Sequence, residues 1–146
     1  MRRTGIHLLV ILSLVVGATA AVDAAVVTDR ERMEAFVEAV TGDVSSRRID
    51  SALQYADPTR VSMDLVHHGR RHRYNDRNAS KLQADAREAL APLAGSHVSL
   101  LQEDIQLSGE SARIALRLRT PEGFANTVFD LRRENDEWLL RRVTVN

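Results

Sequence analysis

Residues 65–77, LVHHGRRHRYNDR, concentrate the side chains of this sequence that could do chemistry. The stretch contains three histidines, His67, His68 and His72, and four arginines, Arg70, Arg71, Arg73 and Arg77. Histidine is a common metal ligand and a general base near neutral pH, whereas arginine binds carboxylates and phosphates through a planar fork of N–H donors. The composition of the stretch therefore raises two kinds of site, one for a metal and one for an anion.

The spacing of the histidines disfavours a metal site. Neighbouring residues of a strand point to opposite faces, so His67 and His68 can share a metal only if the chain twists between them. The sequence has no cysteine and no His-Glu-x-x-His motif. We expect no metal and no other cofactor.

An anion site is the stronger of the two hypotheses. Arg70, Arg71, Arg73 and Arg77 lead into a predicted helix, whose first amide groups carry partial positive charge and can receive a phosphate or a carboxylate. A solvated hairpin explains the same residues, because charged side chains keep an exposed strand edge from pairing with other chains. The pattern favours the solvated hairpin and leaves the anion site open.

Asp64, just before this stretch, is the candidate general base. Val61, Met63 and Leu65 alternate with Ser62 and Asp64, as in a strand with one buried face. Asp64 would then point away from the core, where a carboxylate paired with a nearby arginine is the favoured interpretation. Catalysis would require Asp64 to face a cavity instead.

Three predicted helices and a sheet must position these groups. Thr28 and Glu31 have the spacing of a capping box, and the apolar residues after them predict a helix over residues 29–41. A second helix begins near residue 45, and a third follows the hairpin. Four runs rich in β-branched residues then predict strands at residues 97–107, 111–120, 124–133 and 137–145. This order predicts an α+β domain with three helices packed on a curved antiparallel sheet.

The first 20 residues have the pattern of a secretory signal peptide, with two arginines, a short apolar run and small residues at the end. The run is shorter than the roughly 20 residues of a membrane span, so an uncleaved anchor is the disfavoured alternative. We expect residues 21–28 to be a flexible lead and residues 29–146 to be one domain. The mature protein would then be periplasmic or secreted and free of the membrane.

The composition limits the class of partner. The 20 basic residues balance 20 acidic ones, whereas domains that bind nucleic acid usually carry a clear positive excess. We therefore expect no nucleic acid partner. Without cysteine, an exported domain must be held together by its apolar core alone.

The order of elements resembles the nuclear transport factor 2-like superfamily, which has a cystatin-like α+β cone and includes SnoaL-like cyclases and ketosteroid isomerases. The residues that carry the likeness are FVEAVTGD at 36–43, ALQYADPTRVSMD at 52–64 and FDLRRENDEWLLRRVTV at 129–145. The resemblance implies a cone-shaped half barrel that encloses a pocket, and for many members a homodimer through the outer sheet surface. It does not imply a particular reaction.

The isomerase branch uses a strand carboxylate as base, with a tyrosine and a protonated aspartate as hydrogen-bond donors. Asp64 lies near the position of that base. Phe36 and Phe129 occupy the positions of the two donors, so two of the three catalytic groups are missing by this resemblance.

We therefore expect a non-catalytic binding or assembly module for a small apolar or amphipathic molecule or for a protein partner. Its pocket would be lined by Phe36, Tyr55, Met63, Phe124, Phe129 and Trp138. An isomerase-like or cyclase-like enzyme that uses Asp64 or a pocket histidine as general base is the alternative. A third possibility is a structural dimer whose pocket is filled by its own side chains.

Overall fold

The computed structural model describes residues 28–146. The predicted signal peptide at residues 1–20, and residues 21–27 of the predicted lead, lie outside the described residues. The helices of residues 28–146 are α1 (Asp29–Ala39), α2 (Ser46–Ala52) and α3 (Ala79–Leu90). Short 3-10 turns, Leu53–Tyr55 and Ala91–Leu93, continue α2 and α3. Within residues 28–146, no helix has the length and apolar character that crossing a membrane requires.

Local capping explains where α1 begins. The hydroxyl of Thr28 accepts a hydrogen bond from the backbone N–H of Glu31 at 3.2 Å, and the Glu31 carboxylate accepts one from the backbone N–H of Thr28 at 2.7 Å. This confirms the predicted capping box. The helix ends two residues before the predicted limit, and Gly42, with φ of 108°, leads the chain into a short strand.

In the described part of the chain, seven strands form one sheet. They are β1 (Gly42–Asp43), β2 (Met63–His67), β3 (Arg70–Tyr74), β4 (His97–Ser108), β5 (Ser111–Thr120), β6 (Gly123–Glu134) and β7 (Glu137–Val145), in the order β1-β4-β5-β6-β7-β2-β3. The α+β prediction is confirmed, with one correction: the sheet is mixed, because β2 pairs with β7 in parallel. These two strands are far apart in sequence, so no tight turn imposes an antiparallel direction on them.

Alternation along the strands separates a core face from an outer face. On β5, Ile114, Leu116 and Leu118 are buried, whereas Arg113 and Arg117 are exposed. The buried side chains pack with those of all three helices into one apolar core. The sheet therefore has an inner face covered by helices and an outer face that carries charged residues.

A tight hairpin joins β2 to β3. His68 and Gly69 form its two-residue turn with φ of 46° and 75°, which is the backbone that the twist of paired strands favours. The register places Leu65 opposite His72 and Met63 opposite Tyr74. The predicted hairpin is thus present, and its register decides which of its polar side chains share a face.

Candidate functional site

A cleft of about 620 Å³ opens between the β2–β3 hairpin and α3. The hairpin wall consists of Leu65, His67, Arg70, Arg71, His72 and Tyr74, and the helical wall consists of Asp85, Glu88, Ala89 and Pro92. Strand pairing puts Leu65, His72 and Tyr74 on one face of the hairpin. Helical spacing puts Asp85, Glu88 and Ala89 on one side of α3. The volume lies within the range of small-molecule sites, roughly 300–1,000 Å³.

A hydrogen-bonded group forms the inner end of the cleft. The hydroxyl of Tyr74, a residue only 2% exposed, donates to Oδ2 of Asp85 at 2.8 Å. The Lys81 ammonium donates to both oxygens of Asp85 at 2.8 Å. The ring of His72 lies 4.7 Å from that of Tyr74. The imidazole of His72 and the phenol of Tyr74 are therefore neighbours in the cleft, and the hydrogen bond to Asp85 ties Tyr74 to α3.

Burial and pairing shift the pKa values of this group in opposite directions. Burial, followed by the hydrogen bond to Asp85, raises the pKa of the Tyr74 hydroxyl above its ordinary value. Partial burial alone would raise the pKa of Asp85, but hydrogen bonds from Lys81 and Tyr74 outweigh it and leave that pKa below its ordinary value. Tyr74 is therefore a neutral donor and Asp85 an ionised acceptor at neutral pH.

We expect Asp85 to make the stability of the protein pH-dependent in the acid range. Because its folded-state pKa is lowered, its contribution is present above its unfolded pKa of about 4 and is lost as the pH falls through the folded value. Urea unfolding at pH 7, 4 and 3 should show a steeper acid loss for the native sequence than for Asp85→Asn. Parallel losses for the two proteins would contradict the assignment.

Two charged side chains of the cleft form no ion pair within residues 28–146. Among the described residues, neither Arg70 nor Glu88 forms an ion pair, whereas Arg71 is bound to Asp64 and Asp85 to Lys81. Leu65, Ala89 and Pro92 supply apolar surface between them. The cleft thus offers apolar surface with a cation on one wall and an anion on the other.

The candidate base Asp64 lies outside this cleft. Its neighbours Met63 and Leu65 point into the core, and strand alternation turns Asp64 to the outer face, where Nη2 of Arg71 donates to its Oδ2 at 2.6 Å. Arg73 and Arg142 stand on either side of it. A general-base role on a cleft ligand is not supported by this position.

The six residues predicted to line a pocket do not line the cleft. Phe36 makes edge-to-face contacts with Tyr55 and Phe129, with ring centroids 5.4 and 5.2 Å apart. These three and the buried Met63 and Trp138 belong to or pack against the apolar core. Aromatic side chains thus occupy the space in which the prediction put a ligand.

Phe124 is separate from the other five. It is 59% exposed and lies on the outer face between Arg117 and Arg119, whose guanidinium carbons are 5.5 and 5.4 Å from its ring centroid. Its neighbour Ala125 is buried, so strand alternation turns Phe124 outwards. The expectation that Phe124 lines an inner pocket was wrong.

The four arginines predicted to bind an anion do not converge. Arg71 and Arg73 turn towards Asp64, although Arg71 also borders the cleft. Arg70 lines the cleft and pairs with no carboxylate among the described residues. Arg77 lies in the exposed turn before α3, and its backbone N–H donates to the Asn75 side chain. Alternation along β3 puts arginines that are neighbours in the sequence on opposite faces of the hairpin.

The histidines do not complete a metal site with acidic residues. In the part of the chain that the structure describes, no three His, Cys, Asp or Glu side chains are grouped as metal ligands. The rings of His67 and His68 lie 4.1 Å apart at the hairpin turn, and His72 is further along β3.

The sequence analysis missed Tyr74, Lys81, Asp85 and Glu88. One signal was present, since Lys81 and Asp85 are four residues apart and form an ion pair along a helix. Tyr74 is also two residues from His72, hence on the same strand face. Neither signal shows that α3 crosses this face of the hairpin.

No protein-family model and no curated protein matches the chain. Solved structures do match. A nuclear transport factor 2-like protein of unknown function from Pseudomonas putida has a TM-score of 0.59 at 14% identity, over 80% of this chain and 82% of that one. A cystatin-like-fold protein of unknown function from Nostoc punctiforme has a TM-score of 0.58 at 15% identity, over 82% and 92%.

A ketosteroid isomerase-like protein from Shewanella frigidimarina also matches, with a TM-score of 0.51 at 15% identity over 66% of this chain and 80% of that one. Identities this low establish the fold and leave the function open. The chain has the α+β cone fold of nuclear transport factor 2-like proteins.

Proposed function

We propose that this protein is an exported, non-catalytic binding module that takes up a small, partly apolar molecule in the cleft between the hairpin and α3. The observation that carries the proposal is the cleft itself, whose volume of about 620 Å³ suits a small organic ligand. Its walls combine apolar surface with a few polar groups, which is the usual composition of such sites.

The closed centre of the fold supports a binding role over isomerase chemistry. Phe36 and Phe129 are fully buried against each other, so they leave no room there for a substrate and offer no hydroxyl or carboxyl to an enolate. Asp64 faces the opposite side of the sheet. The groups that the isomerase mechanism requires are therefore not assembled around one space.

The test uses an amphipathic probe, anilinonaphthalene sulfonate, and two tryptophan variants on α3. Ala89 lines the cleft, whereas Ala84 is exposed elsewhere on the same helix. We expect Ala89→Trp to fill the cleft and weaken probe binding about tenfold, and Ala84→Trp to change it less than about twofold. Fluorescence titration measures both, and near-UV circular dichroism verifies that each variant is folded.

Equal probe affinity for the native sequence and Ala89→Trp would contradict the cleft as the binding site. Native mass spectrometry of protein isolated from its own compartment adds a second readout, because a retained small molecule should be lost in Ala89→Trp and kept in Ala84→Trp. The mass of the isolated chain also tests whether a signal peptide is removed.

An enzyme that uses a cleft histidine as general base is the second candidate. The observation in its favour is the contact between His72 and Tyr74, which puts an imidazole next to a phenol in one cleft. Such an enzyme would convert a molecule retained in the cleft, and His72→Gln would abolish the conversion without preventing binding. A binding module would keep the molecule unchanged in both proteins.

A further inference from the structure

The outer face of the sheet gathers three arginines around one carboxylate. Asp64 on β2 stands opposite Arg73 on β3 and opposite Arg142 on β7. Arg71 lies two residues from Arg73, on the same face of β3. All three guanidinium groups come within ion-pair distance of Asp64, at 2.6 Å for Arg71, 3.9 Å for Arg73 and 3.8 Å for Arg142.

Only one of these three arginines is hydrogen-bonded to Asp64. Arg71 donates to Oδ2, whereas Arg73 and Arg142 remain beyond hydrogen-bond distance. Their side chains are 58% and 44% exposed, so their N–H groups are open to an incoming ligand. The Asp64 carboxylate is mostly buried beneath them, with a side-chain exposure of 11%.

The charges of this cluster do not balance. One carboxylate faces three guanidinium groups, which leaves an excess of two positive charges. The next acid in the same row of the sheet is Asp130, which stands opposite Arg142 on β7 and pairs with Arg113 on β5 at 3.8 Å. Including that pair leaves the excess unchanged, so the cluster attracts an anion and matches the charge of a dianion.

We propose that Arg71, Arg73 and Arg142 form a binding site for a dianionic oxyanion, such as the phosphate or sulfate group of a small molecule. Strands lie about 4.8 Å apart, so Arg73 and Arg142 flank Asp64 from its two neighbouring strands and can close on one group from both sides. The planar forks of arginine suit oxyanions. Asp64 positions the three guanidinium groups from below by ion pairing.

Most of this site is separate from the cleft. Asp64, Arg73 and Arg142 do not line the cleft, because strand alternation turns them to the face opposite Leu65, His72 and Tyr74. Arg71 borders the cleft, but its guanidinium group donates to Asp64. Filling the cleft with Ala89→Trp should therefore leave anion binding unchanged. A protein that binds the probe but not phosphate would contradict the anion site alone, and one that binds phosphate but not the probe would contradict the proposed function alone.

The test is a titration with inorganic phosphate at pH 8 and constant ionic strength, followed by NMR of the arginine Nε–Hε signals. We expect saturable shifts for Arg73 and Arg142, similar binding of sulfate and weaker binding of acetate, which has a single charge. Arg142→Gln should weaken phosphate binding about tenfold, since one charge-assisted contact is lost.

Arg119→Gln is the matched control. Arg119 is on the outer face of β5, six residues or about 20 Å beyond Arg113, a distance greater than the roughly 8 Å over which charges act at physiological salt. This variant should bind phosphate within about twofold of the native protein. Shifts that do not saturate, or an equal loss in Arg119→Gln and Arg142→Gln, would overturn the proposal.

A second variant guards against a folding defect. Arg73 is at the sheet edge with an exposed side chain, so Arg73→Gln should fold normally by circular dichroism. It should weaken phosphate binding about as much as Arg142→Gln. Native phosphate affinity in a folded Arg73→Gln protein would count against the site.

Discussion

Replacement of Phe36 by alanine is expected to lower the free energy of unfolding by about 3–5 kcal/mol. The Phe36 side chain is fully buried and contacts the rings of Tyr55 and Phe129. Its removal would leave a cavity that the surrounding helix and strands cannot fill without moving. Urea unfolding, followed by circular dichroism, measures the change.

Phe124→Ala provides the matched control for this prediction. Phe124 is 59% exposed, and its ring lies beside the guanidinium groups of Arg117 and Arg119 on the outer face. We expect its loss to change the free energy of unfolding by less than about 1 kcal/mol. Similar effects of the two substitutions would mean that Phe36 does not fill the centre of the fold.

Two substitutions of Tyr74 should separate the contribution of its ring to the free energy of unfolding from the contribution of its hydroxyl. Tyr74→Ala removes a buried aromatic ring and should cost about 3–5 kcal/mol of unfolding free energy. Tyr74→Phe removes only the hydrogen bond to Asp85, so we expect a loss of about 1–2 kcal/mol. Urea unfolding of the two variants gives both values.

The difference between the two Tyr74 variants is the informative quantity. If Tyr74→Phe were as damaging as Tyr74→Ala, the hydroxyl and its bond to Asp85 would dominate, and the ring would contribute little to the core. Lys81 still pairs with Asp85 in Tyr74→Phe, so the carboxylate keeps a partner. The cleft should therefore remain in this variant, and probe binding provides an independent check.

The filled centre and the lateral cleft together change where a ligand is expected in this fold. The prediction put the pocket among Phe36, Phe129 and other inward-facing aromatic residues. In the structure these side chains contact one another, and the cleft lies between the hairpin and α3. A matched ketosteroid isomerase-like structure at 15% identity shares the fold. That likeness does not imply that the centre of this fold binds a ligand.

Features that depend on neighbours in sequence could be predicted. The capping box at Thr28 and Glu31, the alternation along β5 and the hairpin turn at Gly69 all arise from contacts within a few residues. The predicted pairing of Asp64 with a nearby arginine is also present, although the carboxylate is mostly buried and not solvated. In each case the local backbone geometry by itself determines the direction of the side chain.

Features that depend on distant residues could not be predicted. Strand β2 lies beside β7 in parallel, which places Arg142 next to Asp64 although 78 positions separate them. The packing of α3 across the hairpin likewise creates the cleft and joins Tyr74 to Asp85. Spacing in the sequence does not show which elements become neighbours.

By itself, the sequence determined the three helices, the hairpin, the four long strands that follow and the α+β class. Those properties follow from dihedral preferences and from side-chain periodicity, which act over a few residues. Only the tertiary structure decided that aromatic side chains fill the centre of the fold, that the cleft lies between the hairpin and α3, and that three arginines surround Asp64. These outcomes depend on how closely distant side chains pack, and packing is settled only when the sheet and the helices come together.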